Sequence, residues 1–98
     1  MQFLIVAYDA EDEGAPTRRL EARQAHLDTI ARYKASGNMH IGAALIGPEG
    51  KMMGSVIIAD FPTREEMEAW LNEDPYVVHD VWGDIMIEEC KIAPSFAK

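Results

Sequence analysis

An α+β domain in the order β-α-β-β-α-β is the fold this sequence predicts, and three observations point to it. Four segments rich in Val, Ile, Phe and Tyr are interleaved with two segments of helical periodicity within only 98 residues. Turn and cap signals fall at the junctions between them. The strand segments are apolar on both faces rather than on one.

Gln2 to Asp9 is the first strand, because its Phe, Ile, Val and Tyr suit a pleated backbone. Glu11 to Pro16 forms a charged loop punctuated by Gly14 and Pro16, and Thr17 stands in N-cap position for the helix that follows. From Arg18 to Ser36 the residues Leu20, Leu27, Ile30 and Ala31 recur at helical spacing, which predicts that they form the buried stripe. Gly37-Asn38 ends this helix, since both residues tolerate the left-handed conformation of a C-cap.

His40 to Ile46 is the second strand, and Gly47-Pro48-Glu49-Gly50 a turn. Lys51 to Phe61 returns as the third strand, centred on Val56, Ile57, Ile58 and Ala59. Thr63-Arg64-Glu65-Glu66 is a capping box that opens a second helix, with Met67, Trp70 and Leu71 on its buried face. Asp74-Pro75 stops that helix, because the residue before proline is pushed out of the helical region. Gly83 to Ile92 is the last strand, closed by Pro94.

This order is the ferredoxin-like arrangement, a four-stranded antiparallel sheet with two helices on one face, and residues 1–98 make a single such domain. Phe3, Ile5 and Ala7 fall on one face of the first strand and Leu4, Val6 and Tyr8 on the other. Helices on one side leave the second apolar face without cover. The economical cover is another copy of the chain, so a homodimer through the sheet faces is expected, with room for higher oligomers.

Composition narrows the function classes. The chain is 48% hydrophobic and 27% charged, as globular domains are, and its net charge of −8 opposes nucleic acid and anionic membrane surfaces as partners. The apolar run from Phe3 to Tyr8 is too short to span a bilayer and lacks the flanks of a signal peptide. One cysteine, Cys90, cannot form an internal disulfide, which fits a reducing compartment and a cytoplasmic location. Cys90 reads as a small buried residue of the last strand.

His26 lies on the flank of the first helix's apolar stripe, roughly 40° from Ile30. Arg19, Arg23 and Tyr33 share that flank, which concentrates positive charge and a phenol in an otherwise acidic chain, as a site for an anionic small molecule needs. The plainer reading pairs both arginines with acids such as Glu21 and leaves His26 as a packing residue. Asp74, fixed beside a helix end and before Pro75-Tyr76, could orient an imidazole for general acid or base work. Its plainer role is to cap the turn. His40 and His79 join His26 at no spacing typical of metal ligands, and no glycine pattern of a nucleotide site occurs, so neither metal nor cofactor is expected.

Three stretches carry a resemblance: Arg23-Gln24-Ala25-His26-Leu27, Gly54-Ser55-Val56-Ile57-Ile58-Ala59-Asp60-Phe61, and Asp74-Pro75-Tyr76. Together they resemble the YciI-like family of small bacterial proteins along nearly the whole chain. The resemblance implies a dimeric α+β barrel and a His–Asp pair in a pocket between sheet and helices, at His26 and Asp74. Around that pair, Arg19, Arg23 and Tyr33 are the expected anion and ligand contacts. Gly42, Ser55, Tyr76 and Trp82 are expected to complete the substrate pocket. Ile41-Gly42-Ala43 departs from the Ala-Gly-Pro frequent there in the family, and Pro48-Glu49-Gly50 makes a short loop. The expected function is cofactor-independent acid/base chemistry (elimination, isomerisation or hydrolysis) on a small anionic or cyclic metabolite. The alternatives are a non-catalytic dimeric module that binds a ligand or a partner protein, and a cofactor-free oxygenase.

Overall fold

A computed structural model describes residues 1–97. Strand β1 (Gln2–Asp9) leads to helix α1 (Ala15–Ala35), then β2 (Met39–Ile46) and β3 (Met52–Asp60). Helix α2 (Arg64–Glu73), the single turn α3 (Pro75–Val78) and β4 (Trp82–Cys90) complete the ferredoxin-like fold. The sheet runs β2-β3-β1-β4 with every neighbouring pair antiparallel. Strand bounds fall within one or two residues of those the sequence predicts. The exception in kind is α3, a further helical turn after the Asp74-Pro75 stop.

The inner face of the sheet follows from side-chain alternation. Phe3, Ile5 and Ala7 of β1 are buried, as are Ile57 and Ala59 of β3, and they pack with Ala22 of α1 and with Met67, Trp70 and Leu71 of α2. Half of the predicted capping box is present: Thr63 Oγ1 accepts from the Glu66 backbone N–H at 3.2 Å, while the Glu66 carboxylate faces the Thr63 hydroxyl rather than its backbone N–H. Gly54 is required by close approach, because a Cβ there would lie 2.4 Å from the Ala7 carbonyl oxygen.

Helix α1 departs from the prediction in two ways. It starts at Ala15 with Gly14 as N-cap, so Thr17 lies inside it and caps nothing. Pro16 accounts for this, since its fixed φ suits the first helical turn. The buried stripe is also rotated. Leu20 is 75% exposed and Leu27 39%, whereas Ala15, Arg19, Ala22 and His26 are buried. Leucine periodicity therefore points the helix the wrong way, because the face laid on the sheet consists of small residues and polar groups with their own partners. Cys90 is half-buried rather than buried.

On the outer face, Ile41 lies opposite Ile58, which pairs with Leu4, and Val6 stands between Val56 and Met86. Tyr8, Ile41 and Met86 are 47, 54 and 46% exposed. No helix among the described residues is long and apolar enough to cross a membrane.

Candidate active site

Helix α1 carries His26 on its buried face, and the start of α3 brings Asp74 to it across 48 residues of sequence. His26 Nδ1 and Asp74 Oδ1 are 2.7 Å apart, with the carboxyl group fully buried. The same oxygen accepts the Tyr76 backbone N–H at 2.9 Å and so caps α3. One oxygen of Asp74 thus both caps the turn and contacts the imidazole. An ionised carboxylate only accepts hydrogen bonds, so Nδ1 carries the proton in the contact. In the neutral ring Nε2 is then a bare acceptor. Asp74 Oδ2 is buried and has no partner among the described residues.

The imidazole is fixed on its other sides by rings. Tyr76 stacks on it at 3.9 Å between centroids and 8° between planes. Trp82 meets both rings edge-on, at 5.7 Å from His26 and 5.5 Å from Tyr76. Burial pushes the Tyr76 hydroxyl above its ordinary range, which keeps it protonated. Packing of this kind leaves His26 one orientation.

Arg19 and Arg23 share the helix flank but differ in state. Arg19 is buried, donates from Nη1 to Asp9 Oδ1 at 2.9 Å and from Nη2 to the Gly54 carbonyl at 3.2 Å, and lies 4.9 Å from the Tyr76 ring centroid. Its counter-ion is Asp9, not the sequence-local Glu21. Burial raises the Asp9 carboxyl, an effect the Arg19 charge opposes. Arg23 is exposed and has no ion-pair or hydrogen-bond partner among the described residues.

These groups border a cavity of about 250 Å³ between α1 and the β2–β3 half of the sheet. Arg19, Arg23, His26, Gly42, Ser55 and Tyr76 line it. The space exists because the sheet beneath is paved with small side chains: Ala7, Ser55 and Ala44 are cross-strand neighbours, and Gly42 lies beside Ile57. A Cβ on Gly42 would meet nothing within 4 Å, so glycine leaves open volume there. Trp82 sits behind the lining, its Nε1 donating to Ser55 Oγ at 3.2 Å.

Tyr33 is not brought to this cavity. Its hydroxyl bonds Glu73, which raises its pKa, and its ring packs against Phe61 and Trp70. His40 bonds Asp60 at 2.8 Å, and no cluster of three potential metal ligands occurs among the described residues. Sequence reasoning missed Asp9 as the partner of Arg19 and Ala44 as part of the cavity floor. Neither carries a local signal, since strand pairing and the packing of α1 create both contacts.

Comparison with known proteins fits this architecture. Protein YciI of Escherichia coli O6:H1 is 27% identical over 97 residues, covering 93% of this chain and 97% of that one. Among solved structures, 5-chloro-2-hydroxyhydroquinone dehydrochlorinase (TftG) from Burkholderia phenoliruptrix AC1100, in complex with 2,5-dihydroxybenzoquinone, superposes with a TM-score of 0.83. It is 23% identical, and 97% of this chain and 98% of that one are covered. A dimeric ferredoxin-like protein of unknown function from Jannaschia sp. CCS1 gives a TM-score of 0.52 at 16% identity, over 93% of this chain and 98% of that one. The family model of the YCII-related domain matches residues 1–91, nearly the whole of the fold that holds His26 against Asp74, and the chain belongs to that family.

Proposed function

We propose that the cavity is the active site of a cofactor-independent enzyme acting on a small anionic or cyclic metabolite by acid/base chemistry. The observation that carries this reading is the buried contact between His26 Nδ1 and Asp74 Oδ1 beside an open cavity. His26 Nε2 takes a proton either from a carbon next to a substrate carbonyl, with the electron pair moving onto the carbonyl oxygen as an enolate, or from a ring hydroxyl, with the pair staying on that oxygen as a phenolate. Return of the proton at another position gives isomerisation, and expulsion of a leaving group gives elimination. The Asp74 carboxylate stabilises the imidazolium that forms. Arg23 supplies charge for the anion, while Arg19, neutralised by Asp9, holds the Tyr76 ring in place. The similar dehydrochlorinase, with its bound 2,5-dihydroxybenzoquinone, supports a small hydroxylated ring as the first compound to try.

A thermal-shift screen of hydroxylated quinones, phenols and small keto acids, followed by turnover assays on the hits, tests the proposal. His26→Ala should retain its fold and lose about 10²–10⁴-fold in turnover, the usual contribution of a positioned acid or base. Unchanged conversion in that variant contradicts the proposal, as does wild-type binding of every hit without conversion.

We also infer that a second copy covers the outer sheet face. Leu4, Val6, Val56, Ile58 and Ile41 make a contiguous apolar surface on the sheet face opposite the helices, bordered at its Ile41–Ile58 end by the C-terminal turn that carries Phe96. Sedimentation should give a dimer at micromolar concentration and a monomer for Val6→Asp, whereas a wild-type monomer contradicts the inference.

A further inference from the structure

The hydrogen-bonding inventory of the cavity is incompletely paired. Ser55 is 5% exposed, and its Oγ accepts the indole N–H of Trp82 at 3.2 Å. An indole nitrogen has no lone pair to offer, so Trp82 cannot take the serine proton in return. No other group among the described residues accepts it, and Ser55 faces the cavity. The proton is therefore left to whatever occupies the cavity. Arg23 adds a second donor, one that carries unpaired charge. Against these stand His26 Nε2, an acceptor freed by the Asp74 contact, and the Tyr76 hydroxyl, which stays protonated and can both donate and accept.

We infer that Ser55 is a specificity-determining donor, locked in that role by Trp82, and that the cavity selects compact monoanions carrying an ionised enol or phenol oxygen together with a second acidic hydrogen. The ionised oxygen meets Ser55 and Arg23, and the remaining hydrogen meets His26 Nε2. A neutral ether oxygen accepts more weakly than an oxyanion, leaves the Arg23 charge unmet and brings no hydrogen to His26 Nε2, so the ether binds less tightly. This rests on the reading of His26 as the base of the cavity.

Calorimetric titration of the chain at pH 8 tests it, with 4-nitrocatechol, a dihydroxy compound that is a monoanion there and keeps one phenolic hydrogen, as probe and its dimethoxy ether as the neutral counterpart. The wild type should bind the dihydroxy compound and discriminate against the dimethoxy one. Ser55→Ala should lose about tenfold or more in affinity for the first, as expected for a hydrogen bond to a charged group, with no further loss for the second. Because Ser55→Ala strands a buried indole N–H, Trp82→Phe provides a second arm. It leaves the serine free to accept as well as donate, so discrimination between the probes should narrow. A folded Ser55→Ala with wild-type affinity, or a Trp82→Phe with undiminished discrimination, overturns the inference. If Arg23→Met weakens binding while Ser55→Ala does not, only the role of Ser55 falls. If the wild type binds neither probe, the proposed active site falls with it.

Discussion

Replacing Asp74 separates its two jobs. Its Oδ1 accepts from both His26 Nδ1 and the Tyr76 backbone N–H, at 2.7 and 2.9 Å, in a fully buried setting. Asp74→Ala removes the one acceptor of both bonds, and each of the two buried donors left unpaired costs about 1–3 kcal/mol, so the loss should be about 2–6 kcal/mol. In a domain of this size each kcal/mol moves the thermal midpoint by about 4–8 °C, which predicts a fall of at least ~8 °C. Asp74→Asn keeps a carbonyl oxygen at the Oδ1 position and so keeps both bonds. Its NH2 replaces Oδ2, an atom that already lacks a partner, and removing the buried charge offsets part of that unmet need. Asn should therefore cost no more than about 1–2 kcal/mol. Thermal denaturation followed by circular dichroism at one fixed protein concentration measures both. Equal losses in the two variants would refute the shared-oxygen argument, and so would an Ala variant as stable as wild type.

Three further variants have defined outcomes. Gly42→Ala should leave stability within about 0.5 kcal/mol while weakening any cavity ligand, and Gly54→Ala, whose Cβ would meet the Ala7 carbonyl at 2.4 Å, should cost at least about 1–3 kcal/mol in urea unfolding. The His40 hydrogen bond, aided by Gln2, holds the Asp60 carboxyl below its ordinary range. A carboxyl lowered by folding adds stability that is complete above its unfolded value, about 3.9, and is lost as pH falls through the folded one. His40→Ala should therefore flatten the acid limb of the stability–pH curve, and an unchanged limb would show that the contact contributes nothing.

The order of elements is legible because its signals are local: the Thr63 capping box, the Pro75 stop and the β-rich runs act over a few residues. The facing of α1 is not. Leu20 and Leu27 dominate any periodicity count, yet the helix is laid on the sheet through Ala15, Ala22 and two polar residues satisfied from elsewhere. Arg19 is neutralised by Asp9 on a neighbouring strand, and His26 is hydrogen-bonded by Asp74 at the far side of the sequence. Such partners are set by tertiary packing, so side-chain polarity alone assigns these positions to solvent. Residue character and family likeness do bring His26 and Asp74 forward as a pair. The 2.7 Å contact between them, the small-residue floor of the cavity and the placement of Tyr33 outside it come from how α1 and α3 lie across the sheet.

The central claim is that Asp74 holds the proton of His26 on Nδ1 and leaves Nε2 bare toward the cavity. Nitrogen-15 NMR of the imidazole, with resonances assigned by His26→Gln, reads this directly in the resting protein. The account predicts, in the neutral ring, a protonated Nδ1 and an unprotonated Nε2, with the preference lost in Asp74→Ala. A neutral ring protonated at Nε2 would contradict it.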